Sequence, residues 1–387
     1  MVTGFWHLRQ ARKQRGIVAI VLLLVLGLAS GCDQSGATAT ATPPSASSVP
    51  PSPAATTATS ASVTATETSP AEVLSSTVSP GESFQNPVLR RDFADPFVLK
   101  DGDTYYAYAT NASGANVQVA TSPDLAKWKV LTDAMPAAGA WTKLGGSFIW
   151  APEVMKIADK FVLYYTARDK ASDRQCVGVA VADKPDGKFK DSNDKPLVCQ
   201  ADEGGTIDAS PFRDGDKLYL YYKHDGNCCS MATYLYVQEL APDGLSLVGE
   251  PTRLVSNDRA WEGRVVEAPT MWKQDGKYYL FFSANNYAGI EYSVGYANCD
   301  SPVGPCEDAP ENPILASRMT QKPLVIGPGH QTIIVDDDGE TWLVYHVWEV
   351  TSAGTRGSSR FMWLDKLDWS TGKPVVKGPT TDPQPLP

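Results

Sequence analysis

No stretch of this 387-residue chain is apolar for long enough to cross a bilayer as a helix; the longest run, Ile17 to Leu28, falls short of the ~18 residues required. Helical periodicity is nearly absent beyond residue 85, which sets helical bundles and α/β architectures aside. Positive charge is scarce as well. Lys and Arg number 34 against 44 Asp and Glu; removing residues 1–32 takes away four basic residues and no acidic one, so the balance moves from −10 to −14. Such a surface disfavours nucleic acid and other polyanions and is compatible with neutral polymers such as plant cell-wall sugars. Between Asp33 and about Pro80, aromatic and charged residues all but vanish in favour of Thr, Ala, Ser and Pro. That composition cannot bury enough apolar surface to offset its ordering entropy. Residues 32–84 therefore read as a disordered tether, with an extended reach on the order of 100 Å.

The segment before the tether reads as an export signal. Arg9, Arg12, Lys13 and Arg15 precede the apolar run, which ends in Leu28-Ala29-Ser30-Gly31-Cys32. Small residues directly before a cysteine resemble the bacterial lipobox, with Ala29 where leucine is commoner. The expectation is a signal peptide over residues 1–31 and a lipidated Cys32 that anchors the exported protein to a membrane. Six cysteines remain: Cys176, Cys199, Cys228, Cys229, Cys299 and Cys306. An even number in an exported chain favours disulfides over metal ligation. Cys299 and Cys306 pair first by proximity. Cys228 and Cys229 bond either to Cys176 and Cys199 in one of two orders, or to each other.

What the rest of the chain has is a phrase repeated five times. Asp95-Pro96-Phe97 precedes an aromatic run at Tyr105-Tyr106, Trp150-Ala151-Pro152-Glu153 precedes Tyr164-Tyr165, and Ile207-Asp208-Ala209-Ser210-Pro211 precedes Tyr219-Leu220-Tyr221-Tyr222. Val266-Glu267-Ala268-Pro269 precedes Tyr278-Tyr279, and Gly327-Pro328-Gly329-His330 precedes Trp342-Leu343. Each is a short strand, a polar turn such as Asp-Gly, then an alternating aromatic strand, which is the signature of a hairpin. Hairpins repeated about every 50 residues predict an all-β, five-bladed β-propeller, with blades near 88–135, 147–200, 205–256, 264–320 and 328–376. The residues after Lys377 read as a proline-rich tail, and residues 85–387 as a single domain.

In a propeller the openers of the innermost strands converge on the axis. Asp95, Asp208 and Glu267 would then share one cavity, where burial and mutual repulsion push their titrations apart. Glycoside hydrolysis needs that division, one group giving a proton to the leaving oxygen while another activates water. Glu153 follows its proline instead of preceding it, so it falls outside the set. Asp92 lacks the Asp-Pro context that marks Asp95.

These phrases, with Asn86-Pro87-Val88-Leu89, Tyr345-His346 and Arg360 before Leu364 to Trp369, resemble the five-bladed β-propeller glycoside hydrolases of family 43. That family acts on arabinan and xylan, and the resemblance spans residues 85–376. It implies an inverting mechanism in which Asp95 is the general base, Glu267 the general acid, and Asp208 the residue that orients Glu267 and keeps its pKa raised toward ~6–7. It also implies that His330 lies on the axis near a calcium or other ion, while the chemistry itself requires no cofactor. Phe97 and Trp150 are expected to line the sugar pocket, and Arg360 to contact a hydroxyl or carboxylate. The resulting expectation is a monomeric, membrane-tethered α-L-arabinofuranosidase or arabinanase acting on plant polysaccharides or oligosaccharides. β-Xylosidase activity and a non-catalytic surface sugar-binding propeller are the alternatives.

Overall fold

The computed structural model describes residues 83–143 and 148–387; the expected signal peptide, the lipidated Cys32 and the tether up to residue 82 lie outside the described residues, while Ser83–Phe84, read as the end of the tether, form a strand because Phe84 has a core to enter. Five antiparallel sheets follow one another along the chain. Blade 1 comprises Phe97–Asp101, Thr104–Ala109, Gln118–Ser122 and Lys129–Val130, and blade 2 comprises Trp150–Ile157, Lys160–Arg168 and Gln175–Ala182. Blade 3 is formed by Thr206–Asp214, Lys217–His224, Tyr234–Leu240 and Leu247–Ser256. Blade 4 uses Val266–Gln274, Lys277–Ala284, Ser293–Cys299 and Cys306–Asp308, and blade 5 uses Ile326–Val335, Thr341–Val350, Arg356–Asp368 and Val375–Val376. Blade 2 has three regular strands. Isolated bridges from Lys190 to Val181 and from Val198 to Val177 stand in for its fourth.

Two-residue polar turns close the first hairpins of blades 1 to 4, at Gly102-Asp103, Ala158-Asp159, Gly215-Asp216 and Asp275-Gly276. At Asp275-Gly276 both residues take positive φ (50° and 77°) between the paired Gln274 and Lys277, the two-residue turn whose twist suits a hairpin. The aromatic second strands then supply the core, which lies between the blades. Tyr108, Trp141, Leu163 and Tyr165 fill the layer between blades 1 and 2, and Tyr164, Val179, Leu220 and Tyr222 the layer between blades 2 and 3. Tyr221, Val237, Leu280 and Phe282 join blades 3 and 4, while Phe281, Tyr296, Leu343 and Tyr345 join blades 4 and 5. Each blade thus buries its faces only against its neighbours.

The ring closes through both ends of the domain. Val98 and Tyr105 of blade 1 pack with Val344, Met362 and Leu364 of blade 5, and Phe84 joins them with its ring 5.9 Å from that of Trp342. Asn86 exchanges two hydrogen bonds of 2.9 Å with the backbone of Leu364, and Leu89 bridges Met362. The residues read as a proline-rich tail complete this closure, because Gln384–Pro385 pairs with Ser83–Phe84. The disulfides are Cys176–Cys199, Cys228–Cys229 and Cys299–Cys306. The third is the pair expected from proximity, and the other two resolve the open choice in favour of adjacent Cys228 and Cys229 bonding each other.

Candidate active site

A backbone device repeated in every blade aims side chains at the axis. Asp95, Ala151, Asp208, Ala268 and His330, one near the start of each innermost strand, all have left-handed φ between 43° and 55°. Non-glycine residues seldom adopt this conformation, and it concentrates at functional sites. The phase differs between blades. In blades 1 and 3 the left-handed residue is the aspartate itself, whereas in blade 4 it is Ala268, one position after Glu267. Glu153 sits two positions beyond the left-handed Ala151, where blade 4 has Thr270.

Four of these five residues are latched by a side chain at the end of a neighbouring blade's second strand. Ala151 donates its N–H to Thr110 Oγ1 at 2.9 Å, Asp208 to Thr166 Oγ1 at 3.3 Å, His330 to Ser283 Oγ at 2.8 Å, and Asp95 to His346 Nδ1 at 3.2 Å. Burial, and then Arg360, push the His346 imidazole down to about 4. The ring is therefore neutral and accepts this bond, and its 3.3 Å approach to the Asp95 carboxylate is not an ion pair.

The three carboxylates do converge. Asp95, Asp208 and Glu267 line one cavity of about 290 Å³ together with Thr110, Trp150, Ile207, Lys223, Asp225, Asn227, Tyr287, His330 and Arg360. Asp95 receives the Thr110 hydroxyl on Oδ2 and Arg360 on Oδ1 at 2.7 Å, with His330 Nδ1 at 3.3 Å. Burial alone would raise this carboxyl, but Arg360 and His330 outweigh burial and hold it well below the usual aspartate range. Asp208 is different. Burial, reinforced by the negative charge of Glu267, lifts it to about 6 against the opposing pull of His330 and Lys223. The site thus contains one carboxylate built to stay ionised and one that keeps a proton into the mildly acidic range.

Glu267 departs from the expectation that it is the raised member. Burial acts to lift it, but Lys223 Nζ lies 2.9 Å from Oε2 and the Tyr292 hydroxyl donates to Oε1 at 2.8 Å, and together they hold it below the ordinary glutamate range. Both oxygens are therefore acceptors in this state. Breaking a buried ion pair of this kind costs about 3–5 kcal/mol, because the remaining charge is left without a partner.

Trp150, His330 and Arg360 are cavity residues. Phe97 is not. Its ring packs 6.4 Å from Tyr108 against the core between blades 1 and 2; regular alternation would set residues two apart on one face, but the left-handed backbone at Asp95 breaks that alternation just before the strand begins at Phe97. Glu153 is buried without lining the cavity; burial drives its carboxyl well above the normal range, with the charge of Asp208 adding to the rise. Asp92 accepts the backbone N–H of Arg360 at 2.9 Å and so helps seat that side chain. Lys223, Asp225, Asn227, Tyr287 and Tyr292 escaped the sequence reading. Lys223 had a usable signal: aligned second strands end in Thr110, Thr166, Lys223, Ser283 and His346, and it alone carries a fixed positive charge.

His330 lines the cavity from blade 5. Its Nδ1 faces Asp95, whose negative charge is already met by the Arg360 guanidinium. Among the described residues, the His, Asp and Glu atoms that gather closely enough for an ion are those of Asp258, Glu262 and Asp308, at the outer strands of blades 3 and 4.

A five-bladed propeller with differently tuned carboxylates converging on one axial cavity defines a carboxylate glycosidase. The model of "Glycosyl hydrolases family 43" matches residues 84–374, and the chain belongs to that family. It is an inverting glycoside hydrolase whose chemistry requires no cofactor. A thermostable family-43 glycoside hydrolase of known structure superposes with a TM-score of 0.71 at 36% identity, covering 79% of this chain and 99% of that one. An endo-1,4-β-xylanase from Bacteroides thetaiotaomicron superposes at 0.65 with 27% identity, covering 78% and 99% respectively. A probable arabinan endo-1,5-α-L-arabinosidase A of Aspergillus flavus is 25% identical over 302 residues, 73% of this chain and 90% of that protein.

Proposed function

We propose that the protein removes arabinofuranosyl units from plant cell-wall polysaccharides or their oligosaccharides, with Asp95 as general base, Glu267 as general acid and Asp208 as the group that orients and tunes Glu267. The carrying observation is that three blades deliver three carboxylates to one cavity, with Asp95 and Glu267 held below their ordinary ranges and Asp208 raised above its own. Asp95, kept ionised by Arg360, suits a base that draws a proton from water. The arabinan-directed relative supports arabinose as the sugar. A volume of about 290 Å³ is at the small end for ligand pockets and favours a single glycosyl unit at a chain end over an open cleft. β-Xylosidase activity is the second reading, favoured by the structural likeness to the xylanase. The basic, apolar, small-residue-then-Cys32 pattern supports export and anchoring through a lipid on Cys32, with residues 33–82 as the tether and a monomeric propeller beyond it.

The test is Glu267→Gln on a panel of arabinan, arabinoxylan, and nitrophenyl arabinofuranoside and xyloside. The variant is expected to lose roughly 10²–10⁴-fold on the polysaccharides and distinctly less on the nitrophenyl sugars, whose leaving groups need little protonation. Equal turnover by variant and parent would remove Glu267 from the mechanism. A parent inactive on the whole panel would favour a non-catalytic sugar-binding propeller.

A further inference from the structure

Lys223 breaks the fivefold pattern of latches. In four blades the second strand ends in a side chain that accepts the N–H of a left-handed residue in the next blade, whereas blade 3 presents an ammonium, which has no lone pair to offer. Asp208 Oδ2 takes over that acceptor role for the Ala268 N–H at 3.1 Å. Lys223 is thereby released from latching. It is fully buried, lines the cavity, and lies 2.9 Å from Glu267 Oε2 and 3.6 Å from Asp225 Oδ1. A buried ammonium is costly wherever a hydroxyl would serve the fold, so the substitution calls for a role beyond packing.

We propose that Lys223 is a positioning residue for the hydrolysis: its ammonium orients the Glu267 carboxyl and governs whether that carboxyl carries the proton it must donate. The inference rests on the reading of Glu267 as the general acid. The groups that face Glu267 come from several elements. Lys223, Asp208 and Asp225 approach from blade 3, Tyr292 from blade 4 and His330 from blade 5, while Arg168 of blade 2 acts on Asp225 and Asp95 acts on Asp208. Burial and the carboxylates favour a protonated Glu267; Lys223, the Tyr292 hydroxyl and His330 favour the ionised form. Lys223 is the largest of the latter, so the free enzyme holds Glu267 ionised until acid or a bound substrate shifts that balance.

The experiment is the pH profile of kcat/KM for Lys223→Thr, Lys223→Met and Lys223→Arg, with melting temperatures alongside. Threonine restores the hydroxyl found at this position in blades 1 and 2, methionine keeps length without charge, and arginine keeps the charge. The expected result is an alkaline limb moved upward by about one pH unit or more in the Thr and Met variants, and left in place in the Arg variant. An unmoved limb in folded Thr and Met variants would reduce Lys223 to a structural residue and overturn the inference. Carboxyl-carbon NMR titration of the parent, with Glu267→Gln to assign the signal, does not depend on those variants folding. A Glu267 carboxyl that titrates above the ordinary glutamate range in free enzyme would also overturn it. Full turnover by Glu267→Gln would instead overturn the acid assignment, so the two failures are distinguishable.

Discussion

Single side chains in this cavity are defined by their partners more than by their type. Asp95 and Asp208 arise from equivalent places in two blades and share a left-handed backbone, yet one is held well below the usual range and the other rises to about 6. The difference is Arg360, which reaches Asp95 alone. If Asp95 is the base, Asp95→Asn should lower kcat by about 10²–10⁴-fold on polysaccharide and nitrophenyl substrates alike, since an activated leaving group does not replace a base. Steady-state kinetics on both substrate types check this. The acid limb of the parent's kcat/KM profile should lie below the ordinary aspartate value of about 3.9, because Asp95 stays ionised there. The trio of carboxylates was legible because each stands beside proline or alanine at the opening of an aromatic hairpin. Lys223 was not, because its meaning lies in a contact 44 residues away and in a latch position that shows only when the second strands are aligned. Phe97 misled for the opposite reason. It stands two residues from Asp95, but the left-handed backbone at Asp95 breaks the alternation that would put both on one face, and its ring enters the core between blades 1 and 2.

At the scale of elements, hairpin recurrence located all five blades, since each needs only a local turn and an alternating strand. Closure of the ring was hidden, because its strands are only two residues long, Ser83–Phe84 and Gln384–Pro385, and pair from opposite ends of the domain. Asp365 ties this closure to blade 5, accepting the Tyr345 hydroxyl and the Thr380 N–H, and burial lifts its carboxyl to about 6. The folded protein therefore holds this proton where an unfolded aspartate, near 3.9, has lost it. The contribution is present at low pH and lost as pH rises from about 4 through 6. Asp365→Asn should flatten that part of the stability curve, by up to about 3 kcal/mol relative to the parent, in urea melts across the window. Phe84→Ala should cost about 3 kcal/mol by opening the cluster around Trp342, seen as a lower melting temperature.

For the whole molecule, the ring performs what no blade does alone. Residues from blades 1, 3 and 4 carry the proposed chemistry, and Arg360 and His330 from blade 5 adjust it. The five inter-blade layers support those positions from packed elements on every side. Inversion follows from a base and an acid that act from opposite sides with a water between base and sugar. Proton NMR of the first product released from an α-L-arabinofuranoside tests this most directly. The account predicts that the β-anomer of arabinose appears first and the α-anomer follows only by mutarotation. Initial release of the α-anomer would contradict it.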